Sequence, residues 1–138
     1  MFFQYETPRL LLKVLRADCA PQVLDFYNRD KELFEMYEID RVPDFYTVKH
    51  LQKVLRYEYN MAVKSQLFRF YVFQKENPCR IIGTVCIHNI APAFYGSCEI
   101  GYKFSSEFHH MGYATEAVGF CTKRSEERRV GKECQIWC

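Results

Sequence analysis

The sequence predicts an α/β domain of the α+β type, in which a mixed, mostly antiparallel sheet carries helices on both faces. Apolar residues recur at three- and four-residue spacing between residues 48 and 62, as in an amphipathic helix. Three β-type runs, at 67–74, 80–90 and 97–104, follow one another across turn signals. A glycine-containing loop then leads into a second helical pattern after residue 112, which places a strand-to-helix junction late in the chain.

Composition and charge are those of one ordinary folded domain. The chain has 138 residues, of which 49% are hydrophobic and 26% are charged, and its formal net charge is +2. So small an excess of basic residues gives no reason to expect a nucleic-acid or membrane partner. No window reaches transmembrane length and the first ten residues lack a signal-peptide pattern, so the expected location is cytoplasmic.

The seven cysteines predict neither a disulfide framework nor a metal centre. They lie at positions 19, 79, 86, 98, 121, 134 and 138, in an odd number and without a CxxC pair. Those inside apolar patterns are expected to be reduced, buried thiols. A metal or redox module would rest on residue counts alone, and we expect no metal site.

The first half of the chain predicts one strand followed by helices. "RLLLKVLR", residues 9–16, is apolar and follows a Thr-Pro turn signal, which indicates a strand. Asp18 can cap a helical region over 20–37 that bends or breaks near 28–30. Thr47 can cap a better helix, whose apolar stripe indicates a core contact. The stripe consists of Val48, Leu51, Leu55, Tyr59 and Ala62.

The middle of the chain predicts an antiparallel meander. "LFRFYVFQ" is aromatic and β-branched, and the turn signal "KENP" after it should return "RIIGTVCIHNI" as a hairpin partner. "SCEIGYKF", residues 97–104, follows as a third strand. Strict alternation in the second strand would place Ile81, Gly83, Val85 and Ile87 on one face and Ile82, Thr84, Cys86 and His88 on the other. Helices are therefore expected on both sides of the sheet.

The junction "SSEFHHMGYATEAVGF", residues 105–120, is a candidate anion site. A helix that begins there has N–H groups without intrahelical partners and a partial positive charge, which suit a phosphate. Gly112 would let the backbone approach an anion, and Ala114 keeps the next turn thin. The small residues Ala114, Ala117, Val118 and Cys121 would let the helix pack closely on a sheet. A single G-x-A after a strand is a weak signal when taken alone.

The context of the junction makes the signal specific. A helix pair, an antiparallel meander, a strand, G-x-A and a helix is an order that resembles GNAT-type N-acetyltransferases. "EIGYKFSSEFHHMGYATEAV" is similar to their acetyl-coenzyme A motif over its whole length. "ETPRLLLKVLR", "IGY" and "GYATEA" resemble the branch that acetylates ribosomal-protein N-termini and related amines. The resemblance runs from about Thr7 to Lys123.

The resemblance implies that acetyl-coenzyme A is the co-substrate. The family pattern Q/R-x-x-G-x-G/A falls on residues 109–114, and backbone amides of residues 111–115 would hold the pyrophosphate. The end of the strand would run beside the pantetheine arm. The expected coenzyme-binding residues are Tyr102, Lys103, Phe104, His109, His110, Met111, Gly112, Tyr113, Ala114 and Thr115.

Two positions of the loop depart from the family pattern. His109 stands where the family favours Gln or Arg, and Met111 is often basic in relatives. Imidazole side chains with a pKa of about 6.5 would be mostly neutral at pH 7 and would donate hydrogen bonds without a full charge. The alternative is that His109 and His110 are ordinary exposed loop residues. Metal binding by two adjacent histidines is not expected, because two consecutive side chains rarely converge on one ion without further ligands nearby.

Acetyl transfer needs a neutral amine, a donor for the oxyanion and a proton for the departing thiolate. Backbone N–H groups of the "EIGY" strand could supply the oxyanion donor. Glu99 is the candidate catalytic base, directly or through water, because relatives often carry an acid before Ile-Gly-Tyr. The alternative is that Glu99 is a solvent-facing strand residue. An α-amino acceptor, with a pKa of about 8, is neutral at pH 7 far more often than a lysine side chain, so it depends less on a catalytic base.

The last fifteen residues, "RSEERRVGKECQIWC", are predicted to be a non-homologous tail after an acetyltransferase domain of residues 1–123. They are polar, lack both periodicities, and resemble the translation of a sequencing-adapter fragment. The family fold needs a further strand parallel to "EIGY", a helix and a hairpin, and these are expected to be missing. Alternatively the tail is natural and forms an irregular cap, with Trp137 over the sheet edge. Either way, we expect a fold that is incomplete at the C-terminus and has an open edge.

Two functional hypotheses follow from these features. The first is an acetyl-coenzyme A-dependent N-acetyltransferase that acts on a protein N-terminus or a small amine by direct attack on the thioester. The second is a truncated, non-catalytic fragment that at most binds coenzyme A. No motif of the chain specifies the acceptor or an oligomeric state.

Overall fold

A single mixed sheet organises the described part of the chain. The computed structural model describes residues 3–29, 47–88, 98–108, 111–128 and 134–137. The elements in chain order are β1 (Gln4–Glu6), β2 (Leu10–Lys13), α1 (Ala20–Arg29), α2 (Val48–Val63), β3 (Phe68–Gln74), β4 (Asn77–His88), β5 (Cys98–Phe104), α3 (Tyr113–Arg128) and β6 (Cys134–Trp137). The strands lie in the order β1-β2-β3-β4-β5-β6, and every pair is antiparallel except β5 and β6. The predicted mixed, mostly antiparallel architecture is confirmed.

Helices cover both faces of this sheet, and each face has its own core. On what we call the α3 face, Ala117, Val118 and Cys121 are buried against the strands, as the small-residue pattern predicts. On the opposite side, the α1–α2 face, Phe26 of α1 and Leu51 of α2 are fully buried in a second core. Burial of these apolar side chains is the main force that holds the helices to the sheet. In the described part of the chain, no helix is long and apolar enough to cross a membrane.

Helix α2 begins where its sequence predicts. Thr47 has extended backbone angles, and its side chain accepts a hydrogen bond of 3.2 Å from the backbone N–H of His50. Such a cap satisfies one N–H group that the helix itself leaves without a partner. The predicted stripe is only partly confirmed, because Val48 is 36% exposed while Glu58, which no apolar pattern includes, is buried.

The N-terminal elements differ from the prediction at their ends. The first predicted strand, residues 9–16, is confirmed only over Leu10–Lys13, and the short strand β1 before it was not predicted. β1 has too few residues to show a period, and it exists because it pairs with β2. Of the helical region predicted over 20–37, Ala20–Arg29 is helical, and the rest lies outside the described residues.

Strand β4 does not alternate as strictly as its sequence predicts. Val72 of β3 pairs with Gly83, and the next residue, Phe73, pairs with Ile81, so Ile82 is an extra residue in β4. A bulge of this kind reverses which face the following side chains occupy. Ile81 therefore lies in the core of the α1–α2 face, whereas Val85 belongs to the α3 face. The prediction that Ile81 shares a face with Val85 and Ile87 is wrong, and Ile82 has likewise changed sides.

The C-terminal residues form more structure than was expected. Helix α3 continues to Arg128, and β6 pairs with β5 in parallel from Cys98–Cys134 to Gly101–Trp137. The expectation that a parallel partner strand is missing is therefore wrong, as is the open edge at β5. A four-residue strand is too short to show a period of two, and β5 supplies the backbone partners that define it. The foreign origin of the tail and the boundary after Lys123 stay predictions.

Candidate functional site

The loop between β5 and α3 has the backbone of an anion site. Gly112 has a φ of +80°, in the left-handed region that favours glycine, and its carbonyl accepts the first hydrogen bond of α3, 3.0 Å from the Glu116 N–H. The N–H groups of residues 113–115 therefore come before the helical hydrogen-bond ladder. Gly112 and Thr115 are exposed, and Met111 is 51% exposed, so this end of the helix faces solvent. His109 and His110 lie outside the described residues.

Arg9 joins this loop to the N-terminal strands, a contact that the sequence reasoning missed. Its Nε lies 2.7 Å from Oε1 of Glu116, and its Nη1 donates a hydrogen bond of 3.1 Å to the carbonyl of Met111. The backbone N–H of Arg9 donates to Oε2 of the same carboxylate at 3.0 Å. A Cβ on Gly112 would lie 3.3 Å from Nη2 of Arg9. Arg9, in the turn before β2, thus holds the loop through Glu116 and Met111. We call these contacts between residues 7–9 and the loop the brace. "ETPRLLLKVLR" and "GYATEA" both resemble family motifs, but nothing in either motif predicts that they meet.

Glu116 is the acceptor at the centre of this brace. Thr7 donates its hydroxyl to Oε2 of Glu116, so three donors from residues 7–9 converge on one carboxylate. Burial tends to raise the pKa of Glu116, but the hydrogen bonds from Thr7 and Arg9 outweigh it and hold the pKa below its usual value. A carboxylate in the first turn also interacts favourably with the helix dipole.

Tyr113 anchors the start of α3 through its side chain. It is 8% exposed, its hydroxyl accepts a hydrogen bond of 2.9 Å from Nε2 of Gln74, and its ring lies 4.5 Å below Cζ of Arg9. The Phe108 ring meets it edge to face at 6.0 Å. Tyr113 can therefore contribute its backbone to a bound anion while its ring belongs to the core. Ala114 packs partly buried against the same core, as a thin first turn requires.

The three predicted residues at the end of β5 do not share one face. Phe104 is buried on the α3 face, and Tyr102 packs partly buried against the same core. Lys103 points to the other side, where its Nζ lies 5.5 Å from the centre of the Tyr27 ring. Burial lowers the pKa of Lys103 to about 8. The predicted group therefore divides into two apolar contacts and one partly buried amine.

Gly83 fixes the position of Phe104. A Cβ on Gly83 would lie 2.4 Å from the Phe104 ring, so only glycine admits the ring beside β4. The register between β5 and β6 ends at Gly101–Trp137, and β5 continues to Phe104. Residues 102–104 of β5, which are predicted to run beside the pantetheine arm, therefore pair with β4 and lie beyond the paired residues of β6.

Glu99 is described through its backbone only. It lies opposite His88 of β4 and opposite Gln135 of β6. Its role as the catalytic base stays a prediction.

A buried polar cluster lies on the α1–α2 face, and the sequence reasoning did not identify it. Nε of Arg69 is 2.6 Å from Oε2 of Glu58, and the hydroxyl of Tyr71 donates to Oε1 of Glu58 at 2.8 Å. Burial raises the pKa of Glu58 despite the opposing effects of Arg69 and Tyr71. The one available signal was Arg69 itself, a charged residue inside the aromatic run 67–74. The cluster ties α2 to β3.

The described side chains form no group of three or more metal-ligating residues. Cys19, Cys79, Cys86 and Cys121 are free thiols, and Cys86 and Cys121 are buried. Burial raises the pKa of Cys121 to about 12, so this thiol is not a reactive nucleophile.

Comparison with known proteins explains why these features occur together. A family model for the acetyltransferase (GNAT) domain matches residues 9–133 of the chain. This chain belongs to the GNAT acetyltransferase family. The match passes Lys123 and includes the end of α3, whereas the predicted tail begins at Arg124.

Individual GNAT relatives agree with this assignment. The chain is 26% identical over 109 residues to the probable N-acetyltransferase YjcK of Bacillus subtilis (strain 168), and the match covers 79% of this chain and 60% of that protein. The GNAT chain thus spans about 60% of the length of this curated relative. A putative ribosomal-protein-serine acetyltransferase from Vibrio cholerae has the same fold, with a TM-score of 0.84 and 21% identity over 99% of this chain and 74% of its own. The microcin C7 self-immunity acetyltransferase MccE, in complex with acetyl-CoA and AMP, has a TM-score of 0.79 and 16% identity, with 94% and 69% covered.

The brace can be tested by measuring how the stability of a Glu116 variant depends on pH. We expect Glu116→Gln to lower the stability of the fold at pH 7. Because the pKa of this carboxyl is depressed in the folded state, its contribution is present above the unfolded pKa and is lost as pH falls through the folded value. The stability gap between wild type and variant should therefore shrink below about pH 4. Urea unfolding across this range measures it.

A solvent-exposed ion pair serves as the control for this experiment. Asp25 and Arg29 form an i,i+4 pair on α1, and Asp25 is 58% exposed. Exposed pairs of this kind contribute little, so Asp25→Asn should leave stability almost unchanged across the same pH range. An equal loss of unfolding free energy in Glu116→Gln and Asp25→Asn would contradict a special contribution of the brace to stability.

Proposed function

We propose that the protein is an acetyl-coenzyme A-dependent N-acetyltransferase that transfers an acetyl group to an amine by direct attack on the thioester. The observation that carries the proposal is the left-handed Gly112 at the solvent-facing start of α3, directly after β5. Membership of the GNAT family supports it, as does the fold shared with MccE, whose structure holds acetyl-CoA. Acetyl-coenzyme A supplies the activated acetyl group.

The start of α3 would hold the coenzyme pyrophosphate. The backbone N–H groups of residues 113–115 and the helix dipole offer fixed partial positive charge. Gly112 keeps the approach clear of a side chain, while Arg9 and Tyr113 hold the loop in place. His109 and His110 could add hydrogen-bond donors in this proposal. The pantetheine arm would then run back along residues 102–104 of β5.

The chemistry would take place farther along β5. An amine nitrogen attacks the thioester carbonyl carbon, the C–N bond forms, and the C–S bond breaks to release the coenzyme thiolate. Backbone N–H groups of β5 would stabilise the oxyanion that develops. Glu99 would accept the proton that the attacking amine loses, directly or through water. The bonds formed and broken and the transferred proton are all accounted for in this scheme, which needs no metal.

The acceptor in this proposal is a protein N-terminus or a small amine. The fold shared with the Vibrio cholerae protein, named for a ribosomal-protein serine, supports an N-terminal acceptor. An α-amine, with a pKa of about 8, is also far more often neutral at pH 7 than a lysine amine. A cytoplasmic location suits such an acceptor and belongs to the same proposal.

Calorimetry with coenzyme A and a thiol-release assay with acetyl-coenzyme A test the proposal on the purified chain. The acceptor panel contains peptides with a free N-terminus, the same peptides blocked at the N-terminus but carrying lysine, and small primary amines. We expect coenzyme binding and thiol release, with unblocked peptides preferred. Binding without thiol release would favour the non-catalytic alternative. Absence of coenzyme binding would contradict both.

A further inference from the structure

We infer that Arg9 is a direct ligand of the coenzyme diphosphate, in addition to holding the loop that receives it. The inference rests on the proposed function, because coenzyme A is the ligand. It goes beyond that function because it places a side chain from the N-terminal part of the chain in contact with the ligand itself.

The charge balance of the loop is the first argument. Residues 111–115 read Met-Gly-Tyr-Ala-Thr and carry no charged side chain, and the first charged side chain of α3 is the carboxylate of Glu116. Because its pKa lies below the usual value, this carboxyl is ionised at pH 7. A carboxylate in the first turn repels a diphosphate that binds at the start of the helix. Arg9, whose Nε lies 2.7 Å from Oε1 of Glu116, compensates this repulsion.

The position of the guanidinium is the second argument. Nη2 of Arg9 lies 3.3 Å from the point that a Cβ on Gly112 would occupy. Apart from Gly112 and its chain neighbours, Nη2 is the only described atom within 4 Å of that point. Gly112 is exposed and left-handed, and the proposed diphosphate approaches the helix over this residue. A phosphate oxygen that enters the space beside Gly112 therefore comes within hydrogen-bonding distance of Nη2.

Arg9 holds this position without a ligand. Its Nε and Nη1 are engaged by Glu116 and by the carbonyl of Met111, and its Cζ lies 4.5 Å from the centre of the Tyr113 ring. Its own carbonyl accepts a hydrogen bond of 3.0 Å from the Lys75 N–H. Among the described residues no acceptor engages Nη2, and 47% of the side chain is exposed. A guanidinium fixed in this way loses little freedom on binding and offers a charge-assisted hydrogen bond.

Calorimetry with coenzyme A and with 3′-dephospho-coenzyme A, which keeps the diphosphate, tests the inference. We expect Arg9→Gln to raise the dissociation constant about tenfold for both ligands at low salt, and by less at high salt. Arg9→Lys keeps the charge and should raise it about threefold at most. Equal losses in the two variants would show that Arg9 acts only by shaping the loop, and would overturn the inference. A loss confined to coenzyme A would place the contact at the 3′-phosphate and would also overturn it.

Arg16 provides a matched control beyond the other end of β2. It is exposed, and its Cζ lies 4.9 Å from the centre of the Tyr59 ring, much as Arg9 lies over Tyr113. Arg16→Gln removes the same charge from the protein and should leave the affinity for coenzyme A unchanged. An equal loss of affinity in Arg16→Gln and Arg9→Gln would point to net charge as the cause and contradict a local contact.

The direct contact can be separated from the brace in a Glu116→Gln background. There Arg9 has no carboxylate to hold, yet Arg9→Gln should still raise the dissociation constant about tenfold. No further loss in the double variant would mean that Arg9 acts through Glu116 alone, against the inference. Thermal unfolding without ligand shows that each variant is folded. If the wild-type protein binds coenzyme A and Arg9→Gln binds it equally well, the inference fails and the proposed function stands, whereas absence of binding by the wild type contradicts both.

Discussion

Gly112→Ala is expected to raise the dissociation constant for coenzyme A about tenfold and to lower the stability of the fold. Gly112 has a φ of +80°, and such an angle costs a residue with a Cβ roughly 1–2 kcal/mol. If the loop keeps its shape, the strain appears as lost stability. If the loop relaxes, the N–H groups at the start of α3 turn away from the anion. Calorimetry with coenzyme A and thermal unfolding measure the two effects.

Gly119 provides a matched control on the same helix. It is exposed, and a Cβ there would meet no atom within 4 Å. Gly119→Ala should therefore stabilise the protein by about 1 kcal/mol, because alanine is the better helix former, and should leave coenzyme affinity unchanged. Wild-type affinity in Gly112→Ala would contradict the anion site at this loop.

Glu58→Leu is expected to cost about 3 kcal/mol of unfolding free energy, the largest effect of a single substitution outside the loop between β5 and α3. The change leaves the Arg69 guanidinium without its carboxylate, which lies 2.6 Å away and is 8% exposed. A charge that stays in such a place without a partner bears most of its desolvation penalty. We take the lower end of the usual range because 22% of the Arg69 side chain is exposed. Urea unfolding measures the loss.

Two further variants show whether the unpaired charge is the cause. Tyr71→Phe removes one hydrogen bond to Glu58 and should cost about 1.5–3 kcal/mol. The double variant Glu58→Leu, Arg69→Met removes both charges and should be more stable than Glu58→Leu alone. A double variant that is less stable than the single one would show that the lost stability comes from packing.

Much of the fold was predictable because local chemistry and tertiary contacts agree. Thr47 caps α2 as its side chain allows, and Ala117, Val118 and Cys121 pack as their spacing indicates. The elements that were missed are short, such as β1 and β6, or depend on an irregular pairing, such as the bulge at Ile82. A strand of three or four residues carries too little pattern to be recognised, and its partner strand decides whether it forms.

The candidate site likewise has features that the sequence predicts and features that it does not. Gly112 and the thin helix start were predictable because both follow from backbone geometry at a strand-to-helix turn. The brace of Arg9 on Glu116 was not, because it joins residues 107 positions apart. The place of Tyr102, Lys103 and Phe104 beside a pantetheine arm is implied by the family resemblance and stays a prediction. Tyr102 and Phe104 share one face, as strand alternation predicts, and Lys103 lies on the other.

The sequence by itself determined the class of the fold, the helix that begins after Gly112 and the family to which the chain belongs. Each of these is encoded in residues that are close together, where spacing and backbone preference act directly. The tertiary structure alone decided that residues 7–9 hold the loop between β5 and α3, that Glu58 meets Arg69, and that the amine of Lys103 is partly buried with a lowered pKa. The physical reason is that burial and ion pairing depend on which distant residues meet, and a linear pattern does not carry that information.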